Sequence, residues 1–321
     1  MSNQPILRIA TRSSELALRQ ARMVQAALAQ RGVESELITY DTVGDKRLDQ
    51  PLNAIGAKGL FTQELETDLA EGRVDCCVHS LKDLPTDSPA GLELVAMLER
   101  EDPRDALLVR GGSPATCLAD LPRGARVGTS SLRRRAQLRA ARPDLEVVDL
   151  RGNVPTRVRK IDHGDVDAAI LAAAGLKRLD LADRIAAYLD APEWLPAAGQ
   201  GAIAVQARAS DDRVAALLRP LNHETTWTDA SAERAFLAGL EGGCQVPIGA
   251  MVVVAVGESR TLHGFVADVD GKTILRGARL LDPAQPEETG AALARELLAR
   301  GAGKLLQDLR SASGLPSPQP E

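Results

Sequence analysis

The chain has 321 residues, too many for one ordinary hydrophobic core, so two or three domains are expected. Its 44% hydrophobic and 26% charged residues are typical of a globular protein, and no stretch approaches the roughly 20 apolar residues of a membrane helix. A formal net charge of −5 and an aromatic content of 2% argue against a nucleic-acid partner. The first residues lack the basic flank and apolar run of a leader peptide, so we expect a cytoplasmic protein without a membrane partner.

The four cysteines fit neither a disulfide framework nor a metal knuckle. Cys76 and Cys77 are adjacent in an apolar run, while Cys117 and Cys244 are isolated in the sequence. Disulfide-rich and zinc-binding chains space their cysteines differently. We therefore expect no metal site, and we expect Cys76 and Cys77 to be small core residues.

The first hundred residues predict an α/β domain. The segment from Glu15 to Arg31 has apolar residues spaced by three and four and ends before Gly32, as a helix with a glycine C-terminus does. A second helix is expected from about Thr62 to Glu71. Strands are expected at 7–10, 35–40, 74–78 and 92–98.

The same alternation restarts after Asp102-Pro103 and predicts a second α/β lobe. Helices are expected to begin near Ser131 and Asn153. The apolar strand 202–206 follows a connection rich in proline and glycine, and we expect it to return to the sheet of the first lobe. Two lobes joined by crossing segments would enclose a cleft. The strands of the second lobe are expected at 106–109, 125–129, 146–150 and 166–171.

A different pattern begins near His223 and predicts a small α+β domain. A helix near 229–240 precedes three strand-like runs, and Asp270-Gly271 between the last two is a strong hairpin signal. The segment 288–307 is expected to be helical, and the proline-rich tail from Ser311 to Glu321 to be disordered. A three-stranded antiparallel sheet is expected from the runs at 250–256, 261–268 and 273–280. The predicted domains are 1–101 with 201–219, 102–200, and 220–321.

A polar segment follows the predicted strand at 74–78. It offers the hydroxyl of Ser80, the ammonium of Lys82 and the carboxylate of Asp83 within four residues. Ligand contacts in α/β proteins commonly lie at this end of a strand. The alternative is a solvated loop with a Lys–Asp pair, and the segment alone does not decide between the two.

Arginines are concentrated in one stretch of this acidic chain. Thr129 and Ser131 follow a predicted strand and precede Arg133 and Arg134, and Arg151 follows the next strand. Hydroxyls, guanidiniums and helix N-terminal N–H groups together bind carboxylates or phosphates. Each arginine singly can also be an exposed charge on a solvated helix. Several of them at successive strand ends indicate a ligand with several negative groups.

Cys244 lies in a loop with unusual flanks. Two glycines precede it, which allow unusual backbone angles, and a valine-proline pair that stiffens the chain follows shortly after. Chemistry alone leaves open whether this thiol is a nucleophile or covalent tether, or a buried structural group. No histidine stands in a recognisable motif for a catalytic partner, and His79 and His163 are typical of loop or capping groups.

Taken together, these segments resemble the porphobilinogen deaminases. Eight motifs in family order carry the resemblance, and they extend over nearly the whole chain outside the termini. They are Ile9-Ala10-Thr11-Arg12-Ser13-Ser14, Gly44-Asp45, Gly59-Leu60-Phe61, Val78-His79-Ser80-Leu81-Lys82-Asp83, Gly128-Thr129-Ser130-Ser131-Leu132-Arg133-Arg134, Leu150-Arg151-Gly152-Asn153, Gly199-Gln200-Gly201-Ala202, and Glu233-Arg234-Ala235-Phe236-Leu237 with Gly243-Cys244.

The resemblance implies two periplasmic-binding-protein-like α/β lobes and a third domain that carries a dipyrromethane cofactor on a thioether to Cys244. It implies that Asp83 is the catalytic residue and also contacts the cofactor. The further cofactor-binding residues that it implies are Ser80, Lys82, Thr129, Ser131, Arg133 and Arg134, and the substrate-binding residues are Arg12, Arg151, Arg157 and Arg178.

The implied reaction is a transferase reaction of porphyrin and haem biosynthesis. Four porphobilinogen molecules are deaminated and joined head to tail into the linear tetrapyrrole hydroxymethylbilane, with the dipyrromethane as primer. The resemblance implies a monomer that needs no metal or nucleotide. Lys58 is present in the segment expected to act as a lid, but Ala54 stands where many relatives have a second lysine.

Two readings from other classes stay open at this point. A non-catalytic small-anion-binding module of the periplasmic-binding-protein type would share the two lobes but would need no tethered thiol. A nucleic-acid-binding regulator would use the arginines from Arg133 to Arg139 as phosphate contacts, although the sequence contains no recognisable helix-turn-helix.

Overall fold

The computed structural model describes residues 6–41, 62–240, 246–254 and 259–313. These residues divide into two compact units. The described residues up to 101, with Gly201–Trp227, form the first unit, and Asp102–Gln200 with the residues from Thr228 on form the second. The finer division into three domains stays a prediction.

The first unit contains a mixed five-stranded sheet, called here the first sheet. Its strands are β1 (Leu7–Arg12), β2 (Ser35–Tyr40), β3 (Cys76–Ser80), β4 (Leu92–Met97) and β10 (Ile203–Arg208), in the order β2-β1-β3-β10-β4. β1 pairs in parallel with β2 and β3, whereas β10 is antiparallel to β3 and β4. The predicted return of the strand near 202–206 to this sheet is confirmed.

The second sheet has the same arrangement of parallel and antiparallel strands. Its strands are β5 (Asp105–Val109), β6 (Arg126–Gly128), β7 (Glu146–Val148), β8 (Ala168–Ala172) and β9 (Ala187–Leu189), in the order β7-β6-β8-β5-β9. β6 is parallel to β7 and β8, and β5 is antiparallel to β8 and β9. In both sheets the carboxyl ends of the parallel strands and the amino end of the antiparallel strand therefore share one edge.

Polar caps begin several of the helices. Ser14, Ser131 and Asn153 are N-caps whose side chains accept a backbone N–H from the first turn. The predicted helix starts near Ser131 and Asn153 are confirmed. The helices are α1 (Glu15–Ala29), α2 (Gln63–Ala70), α3 (Leu132–Ala141), α4 (Val154–Asp162), α5 (Ala173–Arg178), α6 (Asp212–Leu218), α7 (Glu224–Gly239), α8 (Pro286–Ala299) and α9 (Ala302–Ser313).

The third sheet is antiparallel and lies in the second unit. Its strands, in spatial order, are β11 (Ile248–Val254), β12 (Arg260–Ala267) and β13 (Ile274–Leu280). The predicted hairpin at Asp270-Gly271 packs against α3, where a Cβ on Gly271 would lie 2.2 Å from the carbonyl oxygen of Ala136. Only glycine allows this approach. The expected fold class, two α/β lobes with a small part that contains a three-stranded antiparallel sheet, is confirmed.

The structure differs from the sequence predictions mainly in short elements and helix ends. The predicted helix 288–307 is two helices, because Gly301 adopts a φ of +104° between them. α7 begins at Glu224 and not near 229. Ser311 to Ser313, expected in a disordered tail, end α9 and the rest of that tail lies outside the described residues. The short elements α5, α6 and β9 were not predicted, since a few residues show no clear period.

The two adjacent cysteines of β3 are buried on opposite faces of the first sheet. Cys76 packs in the cluster of Ile9 and Val24, and Cys77 packs with Leu65 on the other face. Burial raises the pKa of both thiols well above the ordinary value. The prediction that they are small core residues is confirmed. No helix within the described ranges combines the length and apolar character that a bilayer crossing requires.

Candidate active site

The carboxyl edge of the first sheet brings together four of the predicted site residues. β1 and β3 are parallel neighbours, so Arg12 at the end of β1 and Ser80 at the end of β3 lie at the same edge. β3 leads directly into a 3-10 turn, Leu81–Asp83, that carries Lys82 and Asp83. A hydroxyl, two cations and a carboxylate therefore share this edge.

Buried contacts hold the turn and the hydroxyl in place. Leu81 is fully buried, and its N–H donates to the carbonyl of Ala202 at 3.1 Å. The Ser80 hydroxyl lies 2.9 Å from Nε2 and 3.0 Å from Oε1 of Gln20, which is itself buried in α1. Lys82 and Asp83 are partly exposed. Buried contacts thus hold the backbone of the turn, while its charged side chains are exposed enough to contact a ligand.

His79 is a buried strand residue, and the prediction that it is a loop or capping group is wrong. Burial lowers the pKa of His79 to about 4; the side chain of Gln206, as a hydrogen-bond partner of the ring, opposes this change, and the charge of Arg12 adds to it. The imidazole is therefore neutral near pH 7. His163, by contrast, is the C-cap of α4, in agreement with the prediction.

The corresponding edge of the second sheet carries hydroxyls and helix N-termini. Thr129 follows β6 and is buried, and the Ser131 hydroxyl accepts the N–H of Arg134 at 3.4 Å. β7 is parallel to β6, and the loop after it leads to Asn153, whose side chain accepts the N–H of Thr156 at 2.9 Å. Two helix N-termini thus follow neighbouring strands, which is an arrangement that favours anions.

Arg133 and Arg134 lie in the first turn of α3 and are buried against Asp105, the first residue of β5. Nη1 of Arg133 lies 2.6 Å from Oδ2 of Asp105, and Nη2 of Arg134 lies 2.7 Å from Oδ1. Nε1 of Trp194 and Nε2 of Gln200 each donate to the same carboxylate at 2.9 Å. We call these five residues the Asp105 cluster. Sequence reasoning missed Asp105, because its only local signal is an acidic residue before an apolar strand.

Charge balances burial within the Asp105 cluster. Burial disfavours the ionised carboxyl, but the charges of Arg133 and Arg134 outweigh it and hold the pKa of Asp105 well below its usual range. Burial lowers the pKa of Arg133, and Asp105 opposes that change. The two guanidiniums therefore have a structural partner in the protein, and their contact with cofactor carboxylates stays a prediction.

The other predicted arginines of the second sheet lie on segments that follow its parallel strands. Arg151 is partly exposed in the loop between β7 and α4. Arg157 in α4 donates from Nε to the carbonyl of Gly152 at 2.8 Å. Arg178 is the last residue of α5, directly after β8, and is buried. With Thr129 and the N-cap of α3, they make this edge rich in donors for anionic groups.

Cys244 and Lys58, together with Ala54, lie outside the described residues. The remaining cysteine, Cys117, is partly exposed and is the N-cap of a short 3-10 turn.

A buried carboxylate joins the chain segments that flank Cys244. Glu233 of α7 is fully buried. Its Oε2 accepts the N–H of Gly199 at 2.7 Å, and its Oε1 accepts the N–H of Val252 in β11 at 3.0 Å. The helix before the cysteine is thus fastened to the strand after it. Sequence reasoning used Glu233 only as part of a family motif and had no local signal for these contacts.

The fold and its edges define an α/β protein whose sheet edges are suited to an acidic ligand. Two family models match the chain: porphobilinogen deaminase, dipyromethane cofactor binding domain, over residues 7–216, and porphobilinogen deaminase, C-terminal domain, over residues 227–299. The chain therefore belongs to the porphobilinogen deaminase family. It is a transferase of porphyrin and haem biosynthesis, a hydroxymethylbilane synthase, and its cofactor is a dipyrromethane.

Each sheet edge, taken by itself, carries side chains that fit this cofactor. A dipyrromethane carries acetate and propionate groups, and the arginines, Lys82 and the hydroxyls described above are the donors that carboxylates accept. Its pyrrole N–H groups need an acceptor, for which the carboxylate of Asp83 is available at the end of β3.

The chain is also similar to solved structures of binding proteins. A periplasmic substrate-binding protein of an ABC transporter from Coxiella burnetii matches with 17% identity and a TM-score of 0.43, over 71% of this chain and 97% of that one. The VFT2 domain of Bordetella pertussis BvgS matches with 19% identity and a TM-score of 0.40, over 69% and 88%. A methionine-bound nutrient binding protein from Burkholderia cenocepacia matches with 14% identity and a TM-score of 0.41, over 66% and 90%.

Proposed function

We propose that this chain deaminates four porphobilinogen molecules and condenses them head to tail into hydroxymethylbilane on a covalently bound dipyrromethane primer. The observation that carries the proposal is the first sheet edge, where Asp83 stands beside Arg12, Lys82 and Ser80 in a chain of this family. A carboxylate among cations suits a reaction in which a pyrrole cation forms on a substrate that carries carboxylates.

The cofactor is attached through a thioether to Cys244. Of the other three cysteines, Cys76 and Cys77 are buried in β3 with raised pKa values, which disfavours the thiolate needed for attachment. Cys117 is partly exposed but lies outside the family motifs. Cys244 follows Gly242-Gly243 in the motif that matches the attachment site of the family.

Asp83 acts on the cation that porphobilinogen becomes when it loses ammonia. Its carboxylate accepts the pyrrole N–H of this cation and stabilises the positive charge. The 3-10 turn supports this role, because the buried Leu81 and its hydrogen bond to Ala202 hold the backbone that carries Asp83. The dipyrromethane, when bound to Cys244, would supply the pyrrole to which the substrate is joined, and water would release the product after four condensations.

The remaining site residues bind the acetate and propionate groups. Ser80, Lys82, Thr129 and Ser131, with Arg133 and Arg134, hold the cofactor. Arg12, Arg151, Arg157 and Arg178 hold the substrate and the growing chain, and Lys58 acts from the lid segment. Charge-assisted hydrogen bonds to these groups are each worth about 1.5–3 kcal/mol, enough to orient a ligand with many carboxylates. We also propose that the protein is a cytoplasmic monomer with no nucleic-acid partner. Size-exclusion chromatography tests the oligomeric state, and cell fractionation tests the compartment.

Intact mass and turnover test the central proposal. Purified Cys244→Ser should lack the added mass of two pyrrole units and be inactive, while Cys117→Ser should keep both the adduct and the activity. An adduct retained in Cys244→Ser would contradict the attachment site. A wild-type protein with neither adduct nor tetrapyrrole formation, but with affinity for small anions, would favour the non-catalytic binding module.

The role of Asp83 needs a separate variant. Asp83→Asn keeps the shape of the side chain but loses the charge, so turnover should fall by about 10²- to 10³-fold, as for removal of one preorganised electrostatic group. Mass should show that the dipyrromethane is present, and the melting temperature should change little. Near-normal turnover in this variant would refute the catalytic role.

A further inference from the structure

We propose that Asp105 is a positioning residue for the cofactor and the growing chain, and that it holds Arg133 and Arg134 in the orientation in which they bind carboxylate groups. The inference rests on the proposed function, in which these two arginines hold the cofactor. Asp105 itself acts through the arginines and through the segment that contains Trp194 and Gln200.

Each guanidinium is held both by the Asp105 carboxylate and by a backbone carbonyl. Oδ1 of Asp105 accepts Nε and Nη2 of Arg134 at 3.1 Å and 2.7 Å, and Nη1 of Arg134 donates to the carbonyl of Ile170 at 2.9 Å. Nη1 of Arg133 donates both to Oδ2 of Asp105 at 2.6 Å and to the carbonyl of Leu195 at 2.8 Å. Two contacts on a planar group set its plane, so the orientation of both arginines depends on Asp105.

The same carboxylate ties the chain from 194 to 200 to α3. Trp194 and Gln200 donate to Asp105 from the two ends of this segment. Next to Trp194, Leu195 and Gln137 of α3 exchange hydrogen bonds, with Leu195 N–H 2.8 Å from Oε1 and Gln137 Nε2 3.0 Å from the Leu195 carbonyl. Strand β5, helix α3 and the segment thus share one buried anion.

The charge of the Asp105 cluster favours an additional anion. Arg133 and Arg134 bring two positive charges and Asp105 brings one negative charge, and the first turn of α3 contains no acidic residue. Cations at a helix N-terminus lie at the unfavourable end of the helix dipole. Buried charges are tolerated when opposite charges compensate them. Asp105 compensates one arginine, and a carboxylate of the ligand is suited to compensate the other.

The test uses the full chain, both as purified and as apoprotein supplied with porphobilinogen. Asp105→Asn removes the charge and keeps the shape. Trp194→Phe and Gln200→Leu each remove one hydrogen-bond donor from Asp105 and change no charge. Asp144→Asn is the matched control, because it breaks an ion pair with Arg142 just after α3 that is partly exposed.

Two measurements separate positioning from a merely structural role. Intact mass gives the rate of dipyrromethane assembly on the apoprotein and the ratio of complexes with one to four added pyrroles, and steady-state kinetics give KM and kcat. Asp105→Asn should slow assembly, raise KM by about tenfold or more and enrich the early complexes. Trp194→Phe and Gln200→Leu should shift the same quantities less, and Asp144→Asn should match the wild type. A merely structural role would lower the yield of folded protein and leave the ratio and KM unchanged.

Each outcome decides the proposal. A folded Asp105→Asn with wild-type assembly, ratio and KM overturns it. If Asp105→Asn does not fold, the two uncharged variants decide: wild-type values in both overturn the proposal, and a shift in either supports it. A wild-type protein that holds no dipyrromethane and makes no tetrapyrrole refutes the proposed function instead, so the two failures are distinguishable.

Discussion

Gly201 is the position at which one methyl group should disturb the first unit most. It adopts a φ of +91°, and a Cβ built on it would lie 2.2 Å from the carbonyl oxygen of Glu101. That neighbour is backbone and cannot rotate away. The Glu101 N–H also donates to the carbonyl of Gly201 at 3.2 Å, so the two backbone segments cannot move apart without weakening this hydrogen bond.

The cost of Gly201→Ala follows from these contacts. The left-handed backbone costs an alanine about 1–2 kcal/mol, and loss of the hydrogen bond costs about 0.5–1.5 kcal/mol more. A total of about 1.5–3.5 kcal/mol should lower the melting temperature by roughly 5–10 °C. Turnover should fall as well, because the next residue, Ala202, accepts the N–H of Leu81 and so positions the turn that carries Asp83.

Two other glycines serve as matched controls for this variant. Gly91 has a φ of +80° with nothing within 4 Å of a built Cβ, so Gly91→Ala isolates the backbone cost. Gly111 has neither the positive φ nor a close neighbour, and Gly111→Ala should leave stability within about 0.5 kcal/mol of the wild type. Thermal and urea unfolding followed by circular dichroism rank the three. If Gly201→Ala is no less stable than Gly91→Ala, the close approach to Glu101 does not affect the free energy of unfolding and the reasoning is wrong.

Further predictions concern pH and the arginines. The folded-state pKa of His79 is about 4, below the ordinary value of 6.5, so between these pH values the unfolded chain binds a proton that the folded chain does not. Stability should therefore fall by roughly 3 kcal/mol as the pH drops from 6.5 to 4, and His79→Gln should lack this part of the pH dependence in urea titrations. Arg151→Leu should accumulate partly extended complexes in intact mass spectra with little loss of stability, since its side chain is partly exposed. Arg134→Leu should accumulate the same partly extended complexes. Its melting temperature should also fall by several degrees, because Asp105 loses one of its two arginine partners. An unchanged melting temperature would contradict a stabilising role of this buried ion pair.

The sequence by itself determined much of the architecture. Apolar periodicity placed α1 and most strands within a few residues, and the N-caps Ser131 and Asn153 marked the starts of α3 and α4. These signals are local: a period or a cap is formed by residues within one or two turns of each other. The strand-end motifs also predicted that Ser80 and Asp83 would lie at a sheet edge, since parallel strands end at a common edge.

Only the tertiary structure decided which groups pair inside those edges. Arg133 and Arg134, predicted to bind anionic groups or else to be exposed helix charges, are buried against Asp105, which lies 28 and 29 residues before them. Trp194 contacts the same carboxylate from 89 residues away. His79 was predicted to be a loop or capping residue, whereas the structure shows a buried strand residue with a neutral side chain. Partners so far apart leave no periodic trace, because the energy of a buried charge depends on what the fold brings around it and not on its neighbours in the chain.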